Sequence, residues 1–197
     1  MRVAIPVFPG VEELDAIGPL EAFGLARQIG LPVEVALMSG SSATTVRGYH
    51  GVAFGELELF SENETYDTVV VPGGAWLGGS DEGVRRAVAE GTLPRLLRHH
   101  FDKGATVTSV CTGAFLLASA GLLDGLPATT HHLAQDDLRA LGVEVLPDRV
   151  VDAGRILTAG GITSGLDLAL HLLEREFGCG ERIASILEFP SPAFPHR

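Results

Sequence analysis

Cys111 carries the strongest chemical signal in the chain. It stands in Val107-Thr108-Ser109-Val110-Cys111-Thr112-Gly113-Ala114-Phe115, where a buried-strand pattern gives way to a helical one. Small residues, Ser109 and Gly113, flank it two positions to either side. A nucleophile elbow requires that spacing, because the sharp strand-to-helix turn that presents the central side chain leaves no room for bulk beside it. A cysteine so placed also sits at a helix N-terminus, whose dipole and free N–H groups favour the thiolate, so a lowered thiol pKa is expected. The bland alternative is a small buried core cysteine, the commoner fate of a lone one. The elbow spacing favours the nucleophile.

Three other groups are candidates to join it. Pro72-Gly73-Gly74 follows the strand candidate Thr68–Val71, and glycine at a strand end lets a backbone N–H approach a ligand closely. The N–H groups of Gly74 and Thr112 are expected to form an oxyanion-type hole over the Cys111 sulfur; alone, a Pro-Gly-Gly turn is usually only a turn. Glu12-Glu13-Leu14-Asp15 follows the first strand and offers a proton donor to the thiol. Spacing does not separate Asp15 from Glu12 or Glu13, and an acidic cluster is otherwise a helix start that complements the dipole. The histidines fall in adjacent pairs, His99-His100 and His131-His132, with His171 in the last helix. Neighbours on a helix or strand point apart, so neither pair chelates a metal by itself. Two cysteines are too few for a thiolate metal site, and no metal or cofactor is expected. Cys179 lacks the elbow context and reads as a structural or incidental thiol.

The elements that must position these groups alternate. Val3–Phe8, Val33–Met38, Thr68–Val71 and Thr106–Val110 read as strands, as do short pieces between Thr44 and Leu59. Ala128–Thr130, Val143–Leu146, Arg149–Val151 and Ile156–Thr158 follow, with Asp152-Ala153-Gly154 as a hairpin turn. Helices are expected from Pro19, where a missing N–H costs little, and over Asp81–Ala89, Leu93–Phe101 with Thr92 as N-cap, and Thr112–Ala120. The clearest helix carries Leu166, Ala169, Leu170, Leu173 and Phe177 on one stripe and ends at Gly178, ahead of a proline-rich extended tail. Strands alternating with helices predict an α/β fold, a mostly parallel sheet with helices on both faces. Ligands in such folds bind at the carboxyl ends of strands, here after Phe8, Val71 and Val110.

Composition bounds the rest. The 197 residues are read as one domain spanning 1–197, without repeat or linker. A net charge of −11 argues against nucleic acid as a partner, because phosphate binding depends on Lys and Arg. No apolar run approaches the roughly twenty residues of a membrane span, and no signal peptide is recognisable. A cytoplasmic protein without membrane contact is the expectation. Glycine, at 25 residues, is the one clear excess.

Together these segments resemble the ThiJ/PfpI superfamily, relatives of the class I glutamine amidotransferases, and within it the isonitrile hydratase group. The resemblance runs through Leu14-Asp15 with Gly18-Pro19, Val71-Pro72-Gly73-Gly74, Thr108-Ser109-Val110-Cys111-Thr112-Gly113, Ala120-Gly121-Leu122-Leu123 and Ala128-Thr129-Thr130-His131. It continues through Asp148-Arg149-Val150-Val151 and Gly160-Gly161-Ile162-Thr163. It implies a flavodoxin-like three-layer sandwich, usually a homodimer, acting on a small molecule. Cys111 would be the nucleophile, Asp15 the essential acid and Thr112 a catalytic partner, with Gly18, Gly73, Gly74 and His131 around the substrate. Protease-like members carry histidine directly after the cysteine; Thr112 there disfavours peptidase activity. His132 departs from the tryptophan usual in hydratases and changes the implied pocket wall. Glyoxalase or deglycase activity on reactive carbonyls, and a non-catalytic redox or ligand sensor, are the alternatives.

Overall fold

The computed structural model describes residues 1–76 and 81–190. Its centre is a sheet whose middle strands are apolar on both faces: β1 (Arg2–Val7), followed by helix α1 (Glu13–Gln28) and strand β2 (Glu34–Ser39). Two short strands, β3 (Val46–Arg47) and β4 (Ala53–Phe54), form an antiparallel hairpin. Strand β5 (Thr68–Val71) precedes helices α2 (Val84–Glu90) and α3 (Thr92–Asp102); strand β6 (Thr106–Val110) precedes α4 (Ala114–Ser119). Then come β7 (Pro127–Ala128), α5 (Gln135–Ala140), β8 (Glu144–Val145), β9 (Val150–Asp152) and β10 (Ile156–Ala159). Helices α6 (Ser164–Phe177) and α7 (Gly180–Ile186) complete the described chain.

The main sheet has the order β2-β1-β5-β6-β10-β9. All neighbours are parallel except the β10–β9 hairpin, whose Gly154 N–H bonds Asp152 Oδ1 at 2.8 Å in the expected turn. Helices α1, α6 and α7 pack together as one group, and α2, α3 and α4 as another, giving three layers. Strands β5 and β10 are buried throughout, and each is apolar but for one threonine, Thr68 and Thr158. The chain leaves β1 outward to β2 and returns to β5 on the other side, so a topological switch lies between β1 and β5.

Four local expectations are corrected. Helix α1 begins at Glu13, not Pro19, and carries Pro19 inside it. The forfeited N–H bond is outweighed by a buried stripe, Ala16, Pro19, Ala22, Phe23 and Ala26, that runs through the proline. Thr92 is the first residue of α3 and its hydroxyl caps nothing; Gly91, left-handed at φ 71°, both ends α2 and precedes α3. The expected stripe of the last long helix omits Leu168 and Leu172, which are fully buried because α6 packs against α1 and α7 as well as against the sheet. After the Gly178 C-cap (φ 63°) the chain re-enters a helix, α7, that was not expected between Gly178 and the proline-rich tail. Gly180 N–H is fixed there by Glu174 Oε2 at 2.7 Å. Of the tail prolines only Pro190 falls within the described residues; Pro192 and Pro195 lie outside them.

Candidate active site

Parallel pairing of β1, β5, β6 and β10 brings four strand ends to one edge: Glu12–Asp15 after β1, Gly73-Gly74 after β5, Cys111 after β6 and Gly160–Ile162 after β10. Cys111 turns out of β6 with φ 56°, a left-handed conformation that a non-glycine residue adopts only when its surroundings impose it. Here they do. Its N–H donates to the Gly160 carbonyl at 2.7 Å, and its own carbonyl accepts from Thr130 Oγ1 at 2.7 Å. A Cβ on Gly113 would stand 2.4 Å from the Val71 carbonyl oxygen, so the elbow admits no side chain there. The expected nucleophile elbow is present as geometry.

Asp15 is separated from its acidic neighbours by where the start of α1 points each side chain. It is fully buried, and its Oδ2 accepts the Gly73 N–H at 2.8 Å. Its Oδ1 has no partner at full hydrogen-bond geometry among the described residues, while the Cys111 thiol lies near enough to interact with the carboxyl weakly. Glu13 turns away: its Oε1 accepts the N–H groups of His50 (2.7 Å) and Val52 (3.3 Å) and anchors the β3–β4 hairpin. Glu12 stands at the mouth of the cleft, 3.5 Å from His50 Nε2. Glu12, Glu13 and His50 could gather about a cation, their ligand atoms lying within 4.8 Å of one another, but Glu13 already serves the hairpin.

The electrostatics overturn the expected low-pKa thiol. Burial, then the neighbouring Asp15 carboxyl, push Cys111 up to about 12, against smaller help from the N–H groups of Ile162 and Thr112 and the Thr112 hydroxyl. The helical segment that starts here is one 3-10 turn followed by the six-residue α4. Its dipole is too small to offset desolvation at a residue only 6% exposed. Burial likewise raises the Asp15 carboxyl well above its usual range, and the charge of Glu12 adds to it, against the opposing Gly73 N–H and the thiol. The two groups form a coupled pair, each displaced toward its protonated form.

The expected oxyanion partners are redistributed. Gly74 N–H does not face the sulfur; it donates to Thr112 Oγ1 at 3.0 Å, orienting that hydroxyl. Sequence reasoning missed the N–H of Ile162, which with that of Thr112 faces the sulfur. The signal was the Gly160-Gly161 pair after β10. Gly18 lies within α1 against Leu166, not in a turn around the thiol, because the helix starts earlier than expected.

A cleft of about 170 Å³ opens onto Cys111, walled by Glu12, Tyr49, Trp76, Thr112, His131 and Ile162. Tyr49 and Trp76 carried no sequence motif. Trp76 is held by stacking on Phe115 (3.7 Å between centroids), by Arg85 over its ring at 4.1 Å and by Asp137, which accepts its indole N–H at 2.7 Å. The His131 and His132 rings stack at 4.5 Å where divergence was expected, since a 3-10 turn, not a helix or strand, begins there. Burial lowers His131, which keeps the ring neutral at neutral pH. Larger cavities of about 380 and 500 Å³ lie beside Ser41 and Ser42 and are lined by neither cysteine. Cys179 is half-buried, its sulfur 3.6 Å from the Leu173 carbonyl oxygen. No helix among the described residues is long and apolar enough to cross a membrane.

Comparisons with known proteins agree with the fold. The model of the DJ-1/PfpI family matches residues 1–175. The isonitrile hydratase of Pseudomonas putida is 34% identical over 197 residues, covering 98% of this chain and 81% of that protein. The deglycase TK1284 of Thermococcus kodakarensis is 31% identical over 160 residues, covering 78% and 86%. The solved structure of oxidized Toxoplasma gondii DJ-1 superposes with a TM-score of 0.82 at 27% identity, covering 96% of this chain and 99% of that one.

Proposed function

The chain belongs to the DJ-1/PfpI family, and we propose that within it the protein is a cysteine-dependent hydratase that converts an isonitrile to an N-substituted formamide through an adduct on Cys111. One observation carries the reading: the Asp15 carboxyl and the Cys111 thiol are buried together, each displaced toward its protonated form. The likeness to the Pseudomonas putida hydratase supports it over most of both chains.

The chemistry suits a neutral pair. The terminal carbon of R–N≡C takes on both a sulfur and a proton. As the S–C bond forms, the S–H proton passes to one Asp15 oxygen while the carboxyl's own proton goes to the carbon, leaving R–N=CH–S–Cys111 and a neutral acid. Water then adds across the C=N bond, its oxygen to carbon and its proton to nitrogen. Collapse breaks the C–S bond, the hydroxyl proton returns to sulfur, and R–NH–CHO leaves. The N–H groups of Thr112 and Ile162 hold the negative charge that develops on sulfur in both steps. The balance needs one water and no oxidant.

A homodimer is part of the proposal. Leu14 and Ile17 on α1, with Tyr49 and Val52 in the hairpin, are large, apolar and exposed on segments that Glu13 ties together. A partner seated there would cover the side of the cleft that Tyr49 borders. The raised thiol argues against a peroxide sensor, since oxidation follows thiolate character and exposure. The deglycase relative supports carbonyl chemistry as the second reading.

Formamide release from a small aliphatic isonitrile tests the first. Wild type is expected to turn over and Cys111→Ala to be inactive. Formamide release persisting in Cys111→Ala would remove the covalent step. Lactate formation from methylglyoxal without activity on several isonitriles would select the second reading.

A further inference from the structure

We propose that Asp137 and Arg85, which stand outside the thiol cleft, latch Trp76 in place and so set the width of the cleft, confining it to substrates with a slim apolar substituent. The proposal deepens the hydratase reading and takes its substrate class, isonitriles, from it.

Two walls of the cleft come from distant parts of the chain. Trp76 belongs to the segment after β5, and His131 to the turn that leads into α5. That turn fixes His131 to α5: Ala134 N–H donates to the His131 carbonyl at 2.8 Å, and Leu133 N–H to His131 Nδ1 at 3.3 Å. Asp137 lies on α5, and its Oδ2 accepts the Trp76 indole N–H at 2.7 Å. One hydrogen bond therefore ties the two walls together across 61 residues of chain. Neither Asp137 nor Arg85 lines the cleft, so both act through Trp76 as positioning residues.

Arg85, on α2, closes the latch from a third element. Its Nε donates to the Trp76 carbonyl at 2.7 Å, its guanidinium carbon lies 4.1 Å from the centre of the indole ring, and its Nη2 is 3.8 Å from Asp137 Oδ2. Arg85 and Asp137 are exposed, and an exposed ion pair at that distance contributes little alone. The holding contacts are the indole bond to a charged oxygen, the cation over the ring, and the stack on Phe115 at an interplanar angle of 13°. They fix a half-buried side chain at the edge of a space of about 170 Å³, where a small displacement changes what fits. Trp76, Tyr49, Ala75 and Ile162 give that space its apolar walls, which suit an alkyl substituent.

The experiment compares butyl isonitrile with 1-adamantyl isonitrile in wild type, Asp137→Ala, Asp137→Asn and Trp76→Phe. Wild type is expected to favour the butyl substrate at least about tenfold in kcat/KM. Asp137→Ala removes the acceptor, and Trp76→Phe keeps a stacking ring but removes the donor. Each should shrink the preference about tenfold by lowering KM for the adamantyl substrate, while kcat for butyl isonitrile changes less than about twofold. Asp137→Asn, which retains an acceptor oxygen, should keep the wild-type preference. Trp76 is the only tryptophan in the chain, so its emission reads the latch directly. Emission should move to longer wavelength in Asp137→Ala and stay in place in Asp137→Asn. Equal kcat/KM on the two substrates in wild type, or an emission shift in Asp137→Ala with an unchanged preference, would overturn the proposal, as would unchanged emission in Asp137→Ala. Should wild type hydrate neither substrate, the hydratase reading fails and alkylation of Cys111 decides the latch separately. Its rates with N-methylmaleimide and N-tert-butylmaleimide are read by mass spectrometry apart from those of Cys179. A preference for the methyl reagent that Asp137→Ala removes supports the latch; the same preference in both proteins overturns it.

Discussion

Replacing Asp15 by Asn will lower isonitrile turnover by about two to four orders of magnitude while making Cys111 a stronger acid. The two effects run in opposite directions only if the carboxyl acts through its proton. Asp15 is among the causes that hold the thiol up at about 12. An amide removes the second charge, so the thiolate absorbance near 240 nm should appear at lower pH in the variant. A protein that needed only a thiolate would then speed up. One that needs a proton delivered to the substrate carbon slows, in kcat more than in KM. The wild-type rate should fall as rising pH removes the carboxyl proton, at a pH above the ordinary carboxylate range. Stability gives an independent reading with a definite sign. A carboxyl whose folded-state pKa is raised costs stability as pH climbs from the unfolded value, about 3.9, toward the folded one. Asp15→Asn should therefore be more stable than wild type at neutral pH, with the difference closing in acid. A variant that is less stable than wild type across that whole range would contradict the buried, protonated carboxyl.

Gly73→Ala is the second large effect. A Cβ on Gly73 would lie 2.6 Å from both the N and the Oγ1 of Thr112 and 3.0 Å from Asp15 Oδ2. Two of those contacts are closer than side chains tolerate, and the Thr112 nitrogen is backbone at the strained elbow. Relief requires moving the elbow away from β5 or swinging Asp15 out of its bond with the Gly73 N–H. Overpacking of this kind costs about 1–3 kcal/mol, which for a chain of this size lowers Tm by roughly 2–12 °C. The loss of activity should be larger, about a hundredfold, since a displacement near 1 Å between nucleophile and acid is enough for that. Thermal melts and turnover on the same preparation check both. Wild-type activity in a fully folded Gly73→Ala protein would show that the carboxyl and thiol need not be held at this spacing.

The sequence made the strand ends legible because the strands that matter are buried on both faces. Thr68–Val71 and Thr106–Val110 are short runs of valine with small hydroxyl residues, stopped by Pro72-Gly73 and by Cys111-Thr112-Gly113, and both were read with their observed bounds. The elbow followed from Ser109 and Gly113, which are local. What could not be read is set by groups distant in the chain. The thiol's acidity depends on burial and on Asp15, neither of which the helix-terminus argument contains. Asp15 could not be told from Glu12 and Glu13 until α1 was seen to begin at Glu13. The Ile162 N–H reaches the sulfur only because β10 pairs with β6. Tyr49 and Trp76 reach the cleft from a hairpin loop and from the segment after β5, where no periodicity marks them. Pro19 misled because a proline is a helix-start signal locally, whereas tertiary burial decides whether the helix continues through it.

The most direct measurement is an acid quench during turnover of a small aliphatic isonitrile, followed by mass spectrometry of the peptides. A Cys111 adduct heavier by the mass of one isonitrile molecule, formed within the first turnover and absent from Cys179, is the result the neutral-pair mechanism predicts. Formamide accumulating with no adduct on Cys111 at any quench time, or an equal adduct on Cys179, would contradict it.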